Sequence, residues 1–124
     1  WCYMNSEYKT SDIDVLLYTF REAAQKRAQS LDKLNYKEAN KNYDLMENVY
    51  REIKKHGIDA QIKLLELLKD DNPWVKLSVA SRALEFAPES GVPILENLSK
   101  MEGSVGFSAE ITLEIWRKGE LKFT

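Results

Sequence analysis

Cysteine is nearly missing from this 124-residue sequence, and what the chain lacks narrows it before any motif is read. Cys2 stands alone, so no disulfide framework can close within these residues, and a reducing cytoplasm is the expected compartment. Histidine occurs once, at His56, too sparsely for a zinc centre. Proline and glycine are few, three and five, and all but Gly119 gather between helical patterns. No apolar run approaches the ~20 residues that cross a bilayer, no signal-peptide core is visible, and no membrane partner is expected. An excess of one charge is missing too. Eighteen basic against 20 acidic residues leave a net charge of −2, without the electrostatic footprint of a nucleic-acid binder. Period-two runs rich in β-branched residues are lacking, so no strand is expected.

What is present is an ordinary globular composition, 44% hydrophobic and 31% charged, at a length that supports one domain. Trp1-Cys2-Tyr3 precede Met4 and are set aside as a leader. Residues 1–10 read as a loose arm, 11–119 as a single helical domain and 120–124 as a tail. Ser11 or Thr10 is placed to cap a first helix, with Asp12 and Asp14 near its positive end. Its apolar face is Ile13, Leu16, Leu17, Phe20, Ala24, Arg27 or Ala28, and Leu31. Asn35 to Glu38 forms a capping box for a second helix, whose face runs Tyr36, Ala39, Tyr43, Met46, Tyr50, Ile53. Lys54, Lys55 and His56 suit that helix's negative pole, and Gly57 its left-handed stop.

The stretch from Ile58 to Leu84 organises the rest. Ile62, Leu64, Leu65, Leu67 and Leu68 share a broad helical face. Asp70-Asp71-Asn72-Pro73 then breaks the run: side-chain oxygens can accept from a new helix's free N–H groups, and proline is tolerated in a first turn. A helix follows with Val75, Val79, Ala80, Ala83 and Leu84 inward, and so short a turn predicts a hairpin. After a turn at Ala87–Gly91, a shorter helix carries Pro93 early and Ile94, Leu95 and Leu98 inward. A glycine-flanked loop, Met101–Gly106, precedes a last helix over Phe107–Lys118, with Phe107, Ile111, Ile115 and either Leu113 or Trp116 inward. Short helix, polar break and second helix recur in Pro88–Trp116, an approximate repeat of about 30 residues.

Leu64 to Lys76, followed by Val79-Ala80 and Ala83-Leu84, resembles a HEAT repeat, with Val75 and Lys76 in the Val-Arg positions. Trp74 departs from that pattern, which has a polar residue there, and the second copy lacks a Val-Arg pair. From about Ser11 to Lys118 the chain is also similar to a family of small bacterial all-helical proteins of unknown function, sharing the long first hairpin, the break Asp71-Asn72-Pro73-Trp74-Val75 and the turn Ala87-Pro88-Glu89. The resemblance implies an all-α, right-handed α-α superhelix of about three hairpins, HEAT/ARM-like. It implies no activity.

Catalytic constellations are not assembled. His56 reads as a helix-terminal residue beside Lys54 and Lys55, and Glu52 one turn earlier leaves any metal short of ligands. The carboxylate pairs Asp44/Glu47 and Glu110/Glu114 read as solvated faces, and Tyr36, Tyr43 and Tyr50 as packing against the first helix. The chain is therefore expected to be no enzyme, to need no cofactor, metal or small-molecule substrate, and to bind a basic protein. An immunity or inhibitor protein covering a toxin's active site, a nuclease for instance, is the concrete form of that reading, by analogy. The surface expected to carry it comprises Asp70, Asp71, Trp74, Ser78, Ser81, Arg82, Glu85, Glu110, Glu114 and Arg117. Trp74 has an equal alternative, packing on the adjacent hairpin. The other readings are a HEAT-like nucleic-acid or base-repair protein, which the alternating charges Lys76, Arg82, Glu85, Glu110, Glu114 and Arg117 disfavour, and a scaffold subunit.

Overall fold

A computed structural model describes residues 12–122, so the arm, the leader, Cys2 and the candidate caps Thr10 and Ser11 lie outside the described residues. The described residues form six α-helices, one 3-10 segment and no strand. The all-helical expectation holds. Cα packing divides the chain into two compact units, with the division between Gln61 and Ile62.

The first unit is the hairpin of α1 (Ile13–Asp32) and α2 (Tyr36–Lys55). Asp12 caps α1, its carboxylate accepting from the N–H groups of Asp14 at 2.9 Å and Val15 at 3.3 Å. An anionic acceptor at the helix's positive end satisfies two orphan donors. Leu16, Leu17, Phe20, Ala23, Ala24 and Ala28 of α1 are buried, as are Ala39, Met46, Val49, Tyr50 and Ile53 of α2. Asn35 accepts from the Glu38 N–H at 3.2 Å, the expected cap, and Gly57 ends the segment at φ +100°.

The tyrosine face is a correction: Tyr50 is buried, whereas Tyr36 is 59% and Tyr43 42% exposed. Three residues at a spacing of seven drift by about 20° per step around a straight helix and walk off a narrow seam. Tyr43 nonetheless meets the first helix as expected, at its edge, with the Arg27 guanidinium of α1 5.1 Å from its ring centre. The Tyr50 hydroxyl accepts from Gln61 Nε2 at 3.3 Å.

The second unit takes in the end of α3 (Ile58–Leu64), the 3-10 segment Leu65–Lys69, α4 (Pro73–Ala83), α5 (Pro88–Ser99) and α6 (Ser104–Arg117). The apolar run Ile62–Leu68 is thus not one α-helix. Leu64 is fully buried, Ile62 is exposed, and Leu65, Leu67 and Leu68 are half-buried in the tighter 3-10 turns. The corner after it forms as expected. The Asp70 carboxylate accepts from the Asn72 N–H and the Asn72 side-chain oxygen from the Trp74 N–H, both at 2.9 Å, with Pro73 at the first helical position. Replacing Asn72 with Ala removes the cap and should cost about 0.5–2 kcal/mol. Urea denaturation followed by tryptophan emission measures it, and an unchanged midpoint would show that the cap is dispensable.

Leu77 and Ala80 of α4 and its C-cap Leu84 meet Leu95 and Leu98 of α5 and Val105, Ala109 and Leu113 of α6 in one core. Three glycine and proline positions expected between helices lie inside them, Pro88 and Gly91 in α5 and Gly106 in α6, while Pro93 lies within α5 as expected. At Gly91 a Cβ would stand 2.7 Å from the Ala80 carbonyl oxygen, so α4 and α5 approach through a missing side chain.

The face of α6 is the second correction. Phe107 and Ile111, expected inside, are 67% and 36% exposed, and Val105, Ala109 and Leu113 are buried instead. α6 starts one turn earlier than expected and turns a face of smaller side chains to the core, two residues or roughly 200° round from Phe107. Leu113 therefore takes the inward place left open between it and Trp116, which is half-buried against the same core.

Candidate functional site

The residues expected to bind a partner fall into two groups in the second unit. The first belongs to the corner and α4. Asp71 is exposed, Asp70 is half-buried, and Trp74 packs against the core of its own unit. Ser78 and Arg82 do not face solvent: they are 5% and 8% exposed. The Ser78 hydroxyl donates to the Trp74 carbonyl at 2.9 Å, and Arg82 Nη1 donates to the Ser78 carbonyl at 3.0 Å. Ser81 is half-buried and donates to the Leu77 carbonyl at 2.7 Å, leaving Glu85 exposed just past the helix. The reason is packing on several sides. The 3-10 segment, α5 and α6 all contact α4, so a helix read as having one free face is covered on most of its circumference.

The second group is on α6, where Glu110, Glu114 and Arg117 are exposed as expected. With Glu96 and Asn97 from α5 and its C-cap Lys100 they line an open groove of about 820 Å³ along the α5–α6 seam. Arg117 Nη2 lies 3.1 Å from Glu96 Oε2, and Lys118 Nζ lies 3.2 Å from Glu114 Oε1. All four side chains are more than half exposed, so these pairs define charge more than they hold the fold.

Sequence reasoning missed the apolar part of this surface. Phe107 and Ile111 stand one helical turn apart on the outer side of α6, and exposed Met101 precedes the helix. The signal was available as a competing register, Val105, Ala109 and Leu113 at a spacing of four. Chemically the surface offers side chains for contact. Among the described residues no group of three or more His, Cys, Asp or Glu is arranged to hold a metal. His56 is the exposed C-cap of α2 in the other unit, with Glu52 3.5 Å from Lys55. No helix of the described residues is long and apolar enough to cross a membrane.

Comparison with known proteins reaches a family and a fold. Residues 14–116 match the model of a family described as a domain of unknown function, DUF2019. The crystal structure of the protein RPA1889 from Rhodopseudomonas palustris CGA009 superposes with a TM-score of 0.85 at 21% identity, covering 93% of this chain and 96% of that one. At that identity the likeness concerns the fold. No curated protein matches the chain.

Proposed function

Because this chain belongs to the DUF2019 family, whose description assigns no activity, we propose from its own geometry that it is a non-catalytic protein-binding module working through the outer side of α6. The exposure of Phe107 and Ile111 one turn apart supports this most. Large apolar side chains grouped on a surface and rimmed by charge are the usual composition of a protein interface. The narrower form of the proposal is an immunity or inhibitor protein, acting in the cytoplasm, that covers the active site of a toxin. The proposal also includes HEAT-like stacking of hairpins. Its support is the corner at Asp71-Asn72-Pro73 with Val75 and Lys76 following it.

The test is affinity purification of the tagged chain from its source organism beside the double variant Phe107→Ser/Ile111→Ser. A specific partner is expected with the native chain, with affinity reduced roughly thirtyfold or more in the variant, as for loss of one hot-spot contact. Both positions are exposed, so the variant's circular dichroism should be unchanged. Repeated recovery of the chain alone would end the proposal. So would tight, salt-sensitive retardation of tRNA or duplex DNA in a gel, the mark of a phosphate binder.

A further inference from the structure

We infer that the outer side of α6 receives a basic amphipathic helix of a different protein, an inference that rests on the protein-binding reading and specifies its partner. From Met101 to Trp116, sixteen residues, there is no lysine or arginine, and the charged residues are Glu102, Glu110 and Glu114. All three are exposed, as are Met101, Phe107 and Ile111. The surface is therefore an apolar ridge set among carboxylates. The cations at its ends are Lys100 on one side and Arg117 and Lys118 on the other, and the latter two are paired with Glu96 and Glu114. No described residue pairs with Glu110 or Glu102. These two anions remain available to an incoming cation.

Charge chooses among the possible occupants. A second copy related by a two-fold axis through the Phe107/Ile111 ridge would bring Glu110 close to its own equivalent, like charge on like. An anionic bilayer would meet the same repulsion. A partner with apolar side chains at its centre and lysine or arginine at its flanks satisfies both features. Phe107 and Ile111 form an i, i+4 ridge, the element that lies in the groove of a facing helix. The open seam toward α5, lined by Leu113, by Glu96, Glu110 and Glu114 and by Lys100, Arg117 and Lys118, gives that helix room beside the ridge. Its charges balance, so the attraction for a cation comes from the unpaired Glu110 and Glu102.

A synthetic amphipathic Leu/Lys helical peptide, matched to α6 in length, is titrated into the full chain, with the same pattern in Leu/Glu as control. The native chain should bind the Leu/Lys peptide at least about tenfold tighter than the Leu/Glu one. Phe107→Ser should weaken it about tenfold or more, and Glu110→Lys about fivefold or more. Glu89→Lys, an exposed carboxylate outside the groove, should leave it unchanged. Equal affinity for the two peptides, or an equal loss with Glu89→Lys, overturns the inference. So does concentration-dependent self-association in sedimentation velocity, or binding to phosphatidylcholine/phosphatidylglycerol vesicles, either of which Phe107→Ser abolishes. These outcomes are separable from failure of the protein-binding reading, because a partner recovered from the organism could still carry another charge.

Discussion

Gly106→Ala is expected to destabilise the second unit by about 3 kcal/mol or more, at the upper end of what overpacking costs. In most helix interiors the same change helps, because alanine is the better helix former by roughly 1 kcal/mol. Here the added Cβ would overlap the Met101 carbonyl oxygen and stand 2.8 Å from its carbon and 3.3 Å from the Leu98 carbonyl oxygen. All three are backbone atoms, so no rotamer change relieves the clash. The obstructed segment is itself anchored, since the Met101 N–H donates to the Leu98 carbonyl at 2.9 Å. Either α6 moves away from the end of α5 or the connecting turn opens, and both disturb Val105 and Ala109 in the core. Trp74 and Trp116 pack on that core, so urea denaturation followed by their emission reads the loss directly. A variant within about 0.5 kcal/mol of the parent would show that the contact relaxes freely.

Phe20→Ala should cost about 3–5 kcal/mol, the range for truncating a buried aromatic side chain. Phe20 is fully buried in the first unit, among the largest side chains there with Leu16, Met46, Tyr50 and Ile53. Several other buried positions of α1 are alanines, Ala23, Ala24 and Ala28, which have no longer side chain to swing into the space left behind. The cost depends on how far a site can collapse, and this one has little to collapse with. Trp74 and Trp116 belong to the other unit, so far-UV circular dichroism is the better probe. A loss below about 1 kcal/mol would mean that α1 and α2 close over the gap.

Both predictions sit at positions where the sequence was an unequal guide. Helix content and most ends were legible because they rest on short-range chemistry: the amide of Asn35, the φ of Gly57, and the Asn72-Pro73 pair act on backbone groups within a few residues. Gly106 shows the opposite case. Glycine reads locally as loop material, and nothing near it in the sequence announces that the Met101 carbonyl will occupy the place of its side chain. The corner at Asp70–Pro73 was visible, whereas the tightening of Leu65–Lys69 into 3-10 turns was not, since the apolar spacing suits either geometry.

By itself, then, the sequence determined an all-helical chain, the places where its helices cap and turn, and a nearly balanced charge. Which side of each helix meets the core was decided by tertiary structure. Phe107 and Ile111 are as apolar as Leu113, and Ser78 and Arg82 as polar as Glu110, yet packing against neighbouring helices turned the first pair outward and buried the second. Periodicity specifies that a helix has faces; only the shapes of the surfaces it packs against select one of them, because close packing rewards side chains that fit rather than those that are merely apolar.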